Sequence, residues 1–158
     1  MGFTLNRLLP TEPHARRRLN WRDWIFVVVA GISTIRSSIH MLAPDGGAMS
    51  IAGINVELAG GTNIIAIFAQ WGASQLVLAL IYWVVIVRYR ALISLMWMII
   101  LAEQLLRIIT GHLKPIATDV PPPGAYGTYI LLAVSSLVLA FSLWDRGDKP
   151  MHDGKADA

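Results

Sequence analysis

Residues 64–109 read IIAIFAQWGASQLVLALIYWVVIVRYRALISLMWMIILAEQLLRII, and this stretch decides the fold. It contains two long apolar runs that are separated only by Arg88, Tyr89 and Arg90. A membrane-spanning helix needs about 20 predominantly apolar residues, because the hydrocarbon core of a bilayer is about 30 Å thick. Each run meets that length, and a link this short predicts two antiparallel neighbouring helices.

Two further apolar runs flank this pair, so the chain carries four predicted spans. Of its 158 residues, 55% are hydrophobic and 15% are charged, whereas soluble domains carry about 25% charged residues. The absence of cysteine excludes a disulfide scaffold and a cysteine-ligated metal centre. We therefore predict an all-α integral membrane protein, a four-helix transmembrane bundle with spans at about 24–42, 64–87, 91–109 and 126–144.

The segments outside these spans are polar or rich in glycine. Residues 1–23 form a basic segment before the first span, and residues 145–158 form a polar tail after the transmembrane domain, 24–144. Residues 46–61 read GGAMSIAGINVELAGG, an amphipathic stretch between two glycine pairs. This pattern predicts a short interfacial helix between the first and second spans, which would cover one end of the bundle.

The positions of lysine and arginine predict how the chain is oriented. Ten of the thirteen cations precede the first span, follow the last, or lie in the short link. Cytoplasmic loops of membrane proteins carry an excess of such residues. We expect a multi-pass protein of the bacterial inner membrane with both termini in the cytoplasm. No nucleic-acid partner is needed to explain the basic charge, because no binding motif or interleaved aromatic residues accompany it.

Several polar side chains lie inside the predicted spans, where a charge costs roughly 3 kcal/mol or more at the bilayer centre. All of them fall in the outer half of their helices. If they are structural, Glu103 neutralises Arg107 on its own helix and Arg36 across the bundle. If they form a site at the outer face, they bind a lipid, a quinone or a small anion. The candidate ligand-binding residues are Arg36, His40, Gln70, Trp71, Gln75, Glu103 and Arg107.

A haem is the only cofactor that the sequence suggests as an alternative. His40 and His112 lie at comparable depth on two parallel helices, as a bis-imidazole haem of b type would require. Both lie near the interface, however, and His112 follows Gly111, so we expect it past the helix end. A zinc ion would need a third ligand from Asp45 or Asp119. We therefore expect no cofactor, and we find no catalytic motif.

Small residues mark the expected packing faces, because close approach between helices in lipid depends on van der Waals contact. They repeat at helical spacing in three of the four spans. We expect them to point into the bundle. The positions are Ala30, Thr34 and Ser38 in the first span, Ala69 and Ala73 in the second, and Ala133, Ser136 and Ala140 in the fourth.

The order of these features resembles a group of small bacterial four-helix membrane proteins that are DoxX-like in outline. The resemblance covers roughly residues 24–144 and includes AlaProAsp after the first span, GlyThrAsn before the second and GluGlnLeuLeuArgIleIle in the third. It implies that Glu103 and Arg107 are the recurrent polar feature, and it implies no established activity. We expect a non-catalytic accessory or assembly subunit, in contact with lipids and with other membrane subunits or a second copy.

Overall fold

The computed structural model describes residues 19–118 and 121–143, and within them the chain is helical without strands. The four helices are all long and apolar enough to span a membrane, which confirms the predicted all-α membrane bundle. Three of them begin three residues earlier than the apolar runs. A 3₁₀ turn at Arg90–Leu92 leads into the third. The helices are α1 (Trp21–Leu42), α2 (Gly61–Val87), α3 (Ile93–Leu113) and α4 (Pro123–Leu143).

Local capping explains why α1 begins before its apolar run. Asn20 accepts hydrogen bonds from the backbone N–H groups of Arg22 and Asp23 at 3.0 and 3.2 Å. The Asp23 carboxylate in turn accepts one from the backbone N–H of Asn20 at 2.9 Å. This reciprocal capping box satisfies N–H groups that the first turn leaves unpaired. Hydropathy alone does not register such polar residues.

The four helices form two hairpins. The helix α1 packs mainly along α2, and α3 packs mainly along α4, whereas α2 and α3 contact each other little beyond the connection at residues 88–92. We call the end that holds this connection, the start of α1 and the end of α4 the termini end. The opposite end, which holds residues 43–60 and 114–122, is the loop end. The two hairpins are therefore connected at the termini end, and few contacts join α2 to α3 beyond that connection.

An aromatic core holds the two hairpins together. The ring of Phe26 in α1 lies 5.2 Å from that of Tyr82 in α2 and 5.7 Å from that of Trp97 in α3. At the rim of the termini end, Arg22 Nη1 donates to the carbonyl oxygen of Phe141 in α4 at 2.7 Å. All four helices contribute buried residues to this core: Phe26, Ala30, Tyr82, Val85, Ile86, Ile93, Met96, Trp97, Ile100 and Val138.

The small residues do not all face the bundle as predicted. Ala30 is fully buried, whereas Thr34, Ser38, Ala69 and Ala73 are half-buried. In α4 the prediction is wrong, because Ser135, Val138 and Ser142 are the buried residues there. Val138 joins the aromatic core, and this rotation of the helix leaves the predicted stripe exposed. The exposed residues of that stripe are Ala133, Ser136 and Ala140.

The segment between α1 and α2 forms turns at residues 44–52 and is irregular after them, so the predicted interfacial helix is wrong. Gly46, Gly47, Gly53 and Gly60 all have positive φ angles, between 60° and 93°. A right-handed helix requires negative φ at each residue, and glycine adopts positive values at little steric cost. The amphipathic stretch therefore forms a folded loop and not a helix, and Ala48 is fully buried within this loop.

Asp45 organises the first turn of this loop. Its carboxylate accepts hydrogen bonds from the backbone N–H groups of Ser50 at 2.7 Å and Gly47 at 2.9 Å. These N–H groups stabilise the ionised carboxylate and hold the pKa of Asp45 below the usual value of an aspartate. These hydrogen bonds hold the first turn of the loop, residues 45–50, in place at the loop end.

Candidate functional site

Trp71 of α2 lies at the centre of the polar cluster near the loop end. The guanidinium carbon of Arg36 lies 4.7 Å from the centroid of the indole ring, and that of Arg107 lies 5.1 Å from it. Cations within about 6 Å of an aromatic ring are attracted by its quadrupole. One side chain from each of α1, α2 and α3 therefore meets here, and the structure brings three predicted site residues together.

Glu103 supplies the negative charge of the cluster. Its Oε1 accepts from Nη2 of Arg107 at 2.5 Å and from Nε at 3.1 Å. The two residues lie four apart on α3, as the sequence predicted, and both are partly exposed. In the described part of the chain Arg36 forms no ion pair with Glu103, so the expected pairing across the bundle is wrong. Glu103 pairs with Arg107, whereas the guanidinium of Arg36 lies over the ring of Trp71.

Both arginines lie inside the spans at the same distance from the loop end. Arg36 is six residues before Leu42, and Arg107 is six residues before Leu113. At 1.5 Å per residue, each backbone position is about 9 Å from the end of its helix. Long cationic side chains in such positions commonly extend to the nearest interface. Arg107 instead turns one helical turn deeper, to Glu103.

His40 joins the cluster to the covering loop. It is 5% exposed, and its Nδ1 donates to the carbonyl oxygen of Gly46 at 2.8 Å. Its ring centroid lies 4.9 Å from that of Trp71 and 5.9 Å from that of Phe68. The loop therefore rests on the same aromatic group that carries the two guanidiniums.

Gly72 permits the close approach of α1 and α2 beside this group. A Cβ atom there would lie 2.6 Å from the backbone nitrogen of Met41 and 2.8 Å from Cβ of His40. Neither Gly72 nor Phe68 is among the residues that the sequence predicts for the cluster. Their only signal in the sequence is their spacing from Trp71, which places them within one helical turn of it.

An open groove of about 340 Å³ runs beside the cluster, between α2 and α3. Glu103 and Arg107 form its charged wall, and Gln75 adds a polar side chain from α2. Gln70 is exposed and does not line the groove, although it was a candidate. The lining residues are Trp71, Gln75, Glu103, Leu106, Arg107 and Thr110.

The residues do not fit a haem. His40 is enclosed by Trp71, Phe68 and the loop, so a porphyrin on it would have to displace these aromatic contacts. His112 is exposed and lies in the last turn of α3, which corrects the expectation that it follows the helix. Residues 19–118 and 121–143 also contain no group of three His, Asp or Glu able to hold a metal ion. Asp45 is engaged by backbone N–H groups, and Asp119 lies outside the described residues.

Comparison with protein-family models, curated proteins and solved structures gives no match for this chain. The likeness to DoxX-like proteins therefore stays a prediction. What the geometry itself defines is a paired arrangement of guanidiniums on an indole, with one carboxylate, beside an open groove. Such a group can bind an anion through charge-assisted hydrogen bonds.

Proposed function

We propose that the protein is a membrane-embedded binding protein for an anionic ligand, which it holds beside Trp71 at the loop end. The observation that carries this proposal is the charge of the cluster. Arg36 and Arg107 both lie against one indole ring, and Glu103, the carboxylate of the cluster, pairs with Arg107. One positive charge is left without a negative partner inside a membrane-spanning segment, which is costly unless a ligand supplies that partner.

The direction of the Arg107 side chain supports a binding role over a purely structural one. A cation that only needed solvation would lower its free energy by extending towards the interface. Glu103 and Trp71 keep this one deeper in the bundle. Charged groups held in place before a ligand arrives bind it without a further cost of ordering.

The volume of the groove is compatible with a small ligand. Its volume of about 340 Å³ lies at the lower end of the range for ligand pockets, about 300–1,000 Å³. Gln75 offers an amide for orientation, and a guanidinium presents two parallel N–H groups to a carboxylate or phosphate. We assign no reaction to this site.

Anion binding is tested by the thermal stability of the full-length protein in a non-ionic detergent. We expect at least one of sodium oleate, sodium acetate and inorganic phosphate to raise Tm, since a ligand at 100 times its Kd adds about 2.7 kcal/mol. Arg36→Gln should abolish the rise. Arg88→Gln is the matched control, because it removes an exposed cation at the other end. The proposal fails if none of the three anions stabilises the protein, or if Arg36→Gln responds like the wild type.

We place the termini in the cytoplasm of a bacterial cell, on the strength of the excess of cations at the termini end. The cysteine-free chain makes this easy to test. An impermeant maleimide applied to intact cells should label Met49→Cys, in the loop that covers the loop end, and should leave Asp153→Cys unlabelled. The reverse pattern would contradict the orientation.

A second candidate function, an accessory subunit of a membrane complex, is favoured by the outward face of α4. Ala133, Ser136 and Ala140 are exposed there, and small residues at such spacing allow another helix to approach closely. Native mass spectrometry from a gentle detergent should detect a partner subunit or a second copy. Ala140→Leu should remove it, whereas Ala102→Leu, on an exposed position of α3, should not. A bare monomer in the wild type would contradict this candidate.

A further inference from the structure

We infer that the anion is the carboxylate of a long-chain amphiphile, which enters the groove sideways from the lipid. This inference rests on the proposed function and specifies its ligand. Four observations carry it: the lateral opening of the groove, the cover over the loop end, the depth of the arginines and the charge of the cluster.

The groove opens towards the lipid. Its two walls belong to α2 and α3, which are joined at residues 88–92 and contact each other little elsewhere. Leu106 lines the groove and is nevertheless 62% exposed. Ile109, three residues further along α3 and therefore on the same side of the helix as Leu106, is also exposed. An apolar chain can therefore lie against this edge of α3 while its polar end reaches Arg107.

The covering loop restricts approach from the aqueous side of the bundle. A Cβ atom on Gly46 would lie 3.0 Å from Cβ of Phe68, so the loop backbone rests directly on α2. His40, beneath it, is bonded to the Gly46 carbonyl oxygen. The loop therefore covers the α1–α2 side of the aromatic group, whereas the groove between α2 and α3 is open.

Depth favours a carboxylate over a phospholipid headgroup. The 21 residues of α3 extend about 32 Å, close to the thickness of the hydrocarbon core. Arg107 lies about 9 Å from the end of this helix, below the level of lipid phosphates. A phosphodiester would bring its glycerol and its headgroup to that depth. A fatty-acid carboxylate ends the chain, so no further polar group has to be buried with it.

Charge also fits a single carboxylate. Two guanidiniums and Glu103 leave one positive charge, and a fatty acid supplies one negative charge. Its two oxygens match the two parallel N–H groups of a guanidinium. The apolar tail adds about 0.8 kcal/mol for each CH₂ group removed from water, so affinity is expected to rise with chain length.

The experiment compares probes on the full-length protein in nanodiscs of uncharged phosphatidylcholine. We expect oleate to bind at least 100-fold more tightly than acetate or inorganic phosphate, by isothermal titration calorimetry. Oleyl alcohol, which lacks the charge, and phosphatidylglycerol, which carries a phosphodiester, should each bind at least 10-fold more weakly than oleate. Arg36→Gln should reduce oleate binding at least 10-fold, and Arg88→Gln should not.

A second variant tests the lateral path without removing a charge. Leu106→Phe enlarges an exposed side chain in the groove, so the fold should tolerate it, and it should weaken oleate binding at least 10-fold. Leu105→Phe, one position along the same helix, should leave it unchanged. Acetate binding as tight as oleate binding, a preference for phosphatidylglycerol, or equal effects of the two variants would overturn the inference while leaving the proposed function intact. No binding of any anion would overturn both.

Discussion

The two ends of the bundle are built from opposite kinds of chemistry. At the termini end, Phe26, Tyr82 and Trp97 pack into a dry core to which all four helices contribute. Towards the loop end, the ring of Trp71 contacts the guanidiniums of Arg36 and Arg107, and a groove opens beside it. Lipid provides no hydrophobic force between helices, so association depends on packing. Concentrating the packing at one end leaves the other free to hold charges and to remain open.

The indole rings of the two ends illustrate this division. Trp97 is 0% exposed, and its Nε1 has no hydrogen-bond partner in the described residues. Its place in the core therefore depends on its volume. Trp71 is half-buried, and its ring faces contact charged and polar groups. The same residue type belongs to the core at one end and to the candidate site at the other.

The largest expected effect comes from removing the dry core. Trp97→Ala should lower the free energy of unfolding by about 3–5 kcal/mol, the usual cost of deleting a large buried aromatic side chain. Unfolding in mixed micelles, followed by circular dichroism, measures it. Trp24→Ala is the matched control, because Trp24 is 58% exposed. Equal losses in the two variants would show that the core does not hold the hairpins together.

The next effect concerns the close contact of α1 and α2 at the loop end. Gly72→Ala places a Cβ atom against backbone atoms of His40 and Met41. We expect a loss of about 1–3 kcal/mol, as for other overpacked sites, measured in the same unfolding assay. Gly31→Ala is the control, since a Cβ there meets no atom within 4 Å. That variant should be neutral or more stable by up to about 1 kcal/mol, because alanine favours helix.

The sequence predicts the positions of the helices better than their exact ends or the sides that face inwards. Hydropathy locates the four spans within a few residues, because each membrane-spanning helix needs about 20 predominantly apolar residues. It does not register the capping residues Asn20 and Asp23 that extend α1. It also cannot say which side of α4 faces inwards, because that helix is apolar all round. The side of α4 that faces inwards is the one that carries Val138, which packs in the core. This is a tertiary contact.

The candidate site shows a similar limit. The scarcity of charge in the spans points to Arg36, Glu103 and Arg107, and the spacing of the last two predicts their pairing on one helix face. The place of Trp71 between the arginines depends on how three helices meet, and spacing along one helix does not contain that information. The amphipathic pattern of residues 46–61 does not reveal that four of its glycines adopt positive φ angles, which are incompatible with a right-handed helix.

A smaller effect is expected between the two ends, where one hydrogen bond joins α1 to α2. Trp83 Nε1 donates to Thr34 Oγ1 at 3.0 Å. Thr34→Val should cost about 0.6 kcal/mol, the average for such bonds between membrane helices. Thr128→Val is the control, because its hydroxyl donates only within its own helix, to the Gly124 carbonyl oxygen. A cost well above that of the control would mean that the middle of the bundle also contributes to holding it together.

The smallest effect on global stability should come from Asp45 in the covering loop. Its pKa is lowered in the folded state by N–H groups of Ser50 and Gly47. The ionised carboxylate of Asp45 therefore contributes fully to the stability of the loop above its unfolded pKa of about 3.9. This contribution is lost as the pH falls through the lower pKa of the folded state. Amide hydrogen exchange of the loop, corrected for the intrinsic rate, should thus accelerate only below about pH 4.

Asp45→Asn should accelerate the same exchange at neutral pH, whereas Glu57→Gln, which changes another exposed loop carboxylate, should not. This pair decides whether the cover and the cluster act together. Because His40 is hydrogen-bonded to Gly46 and packs against Trp71, a loosened loop should also weaken anion binding. If exchange accelerates and binding is unchanged, the loop is only a cover, and the arginines are held in place by the helices alone.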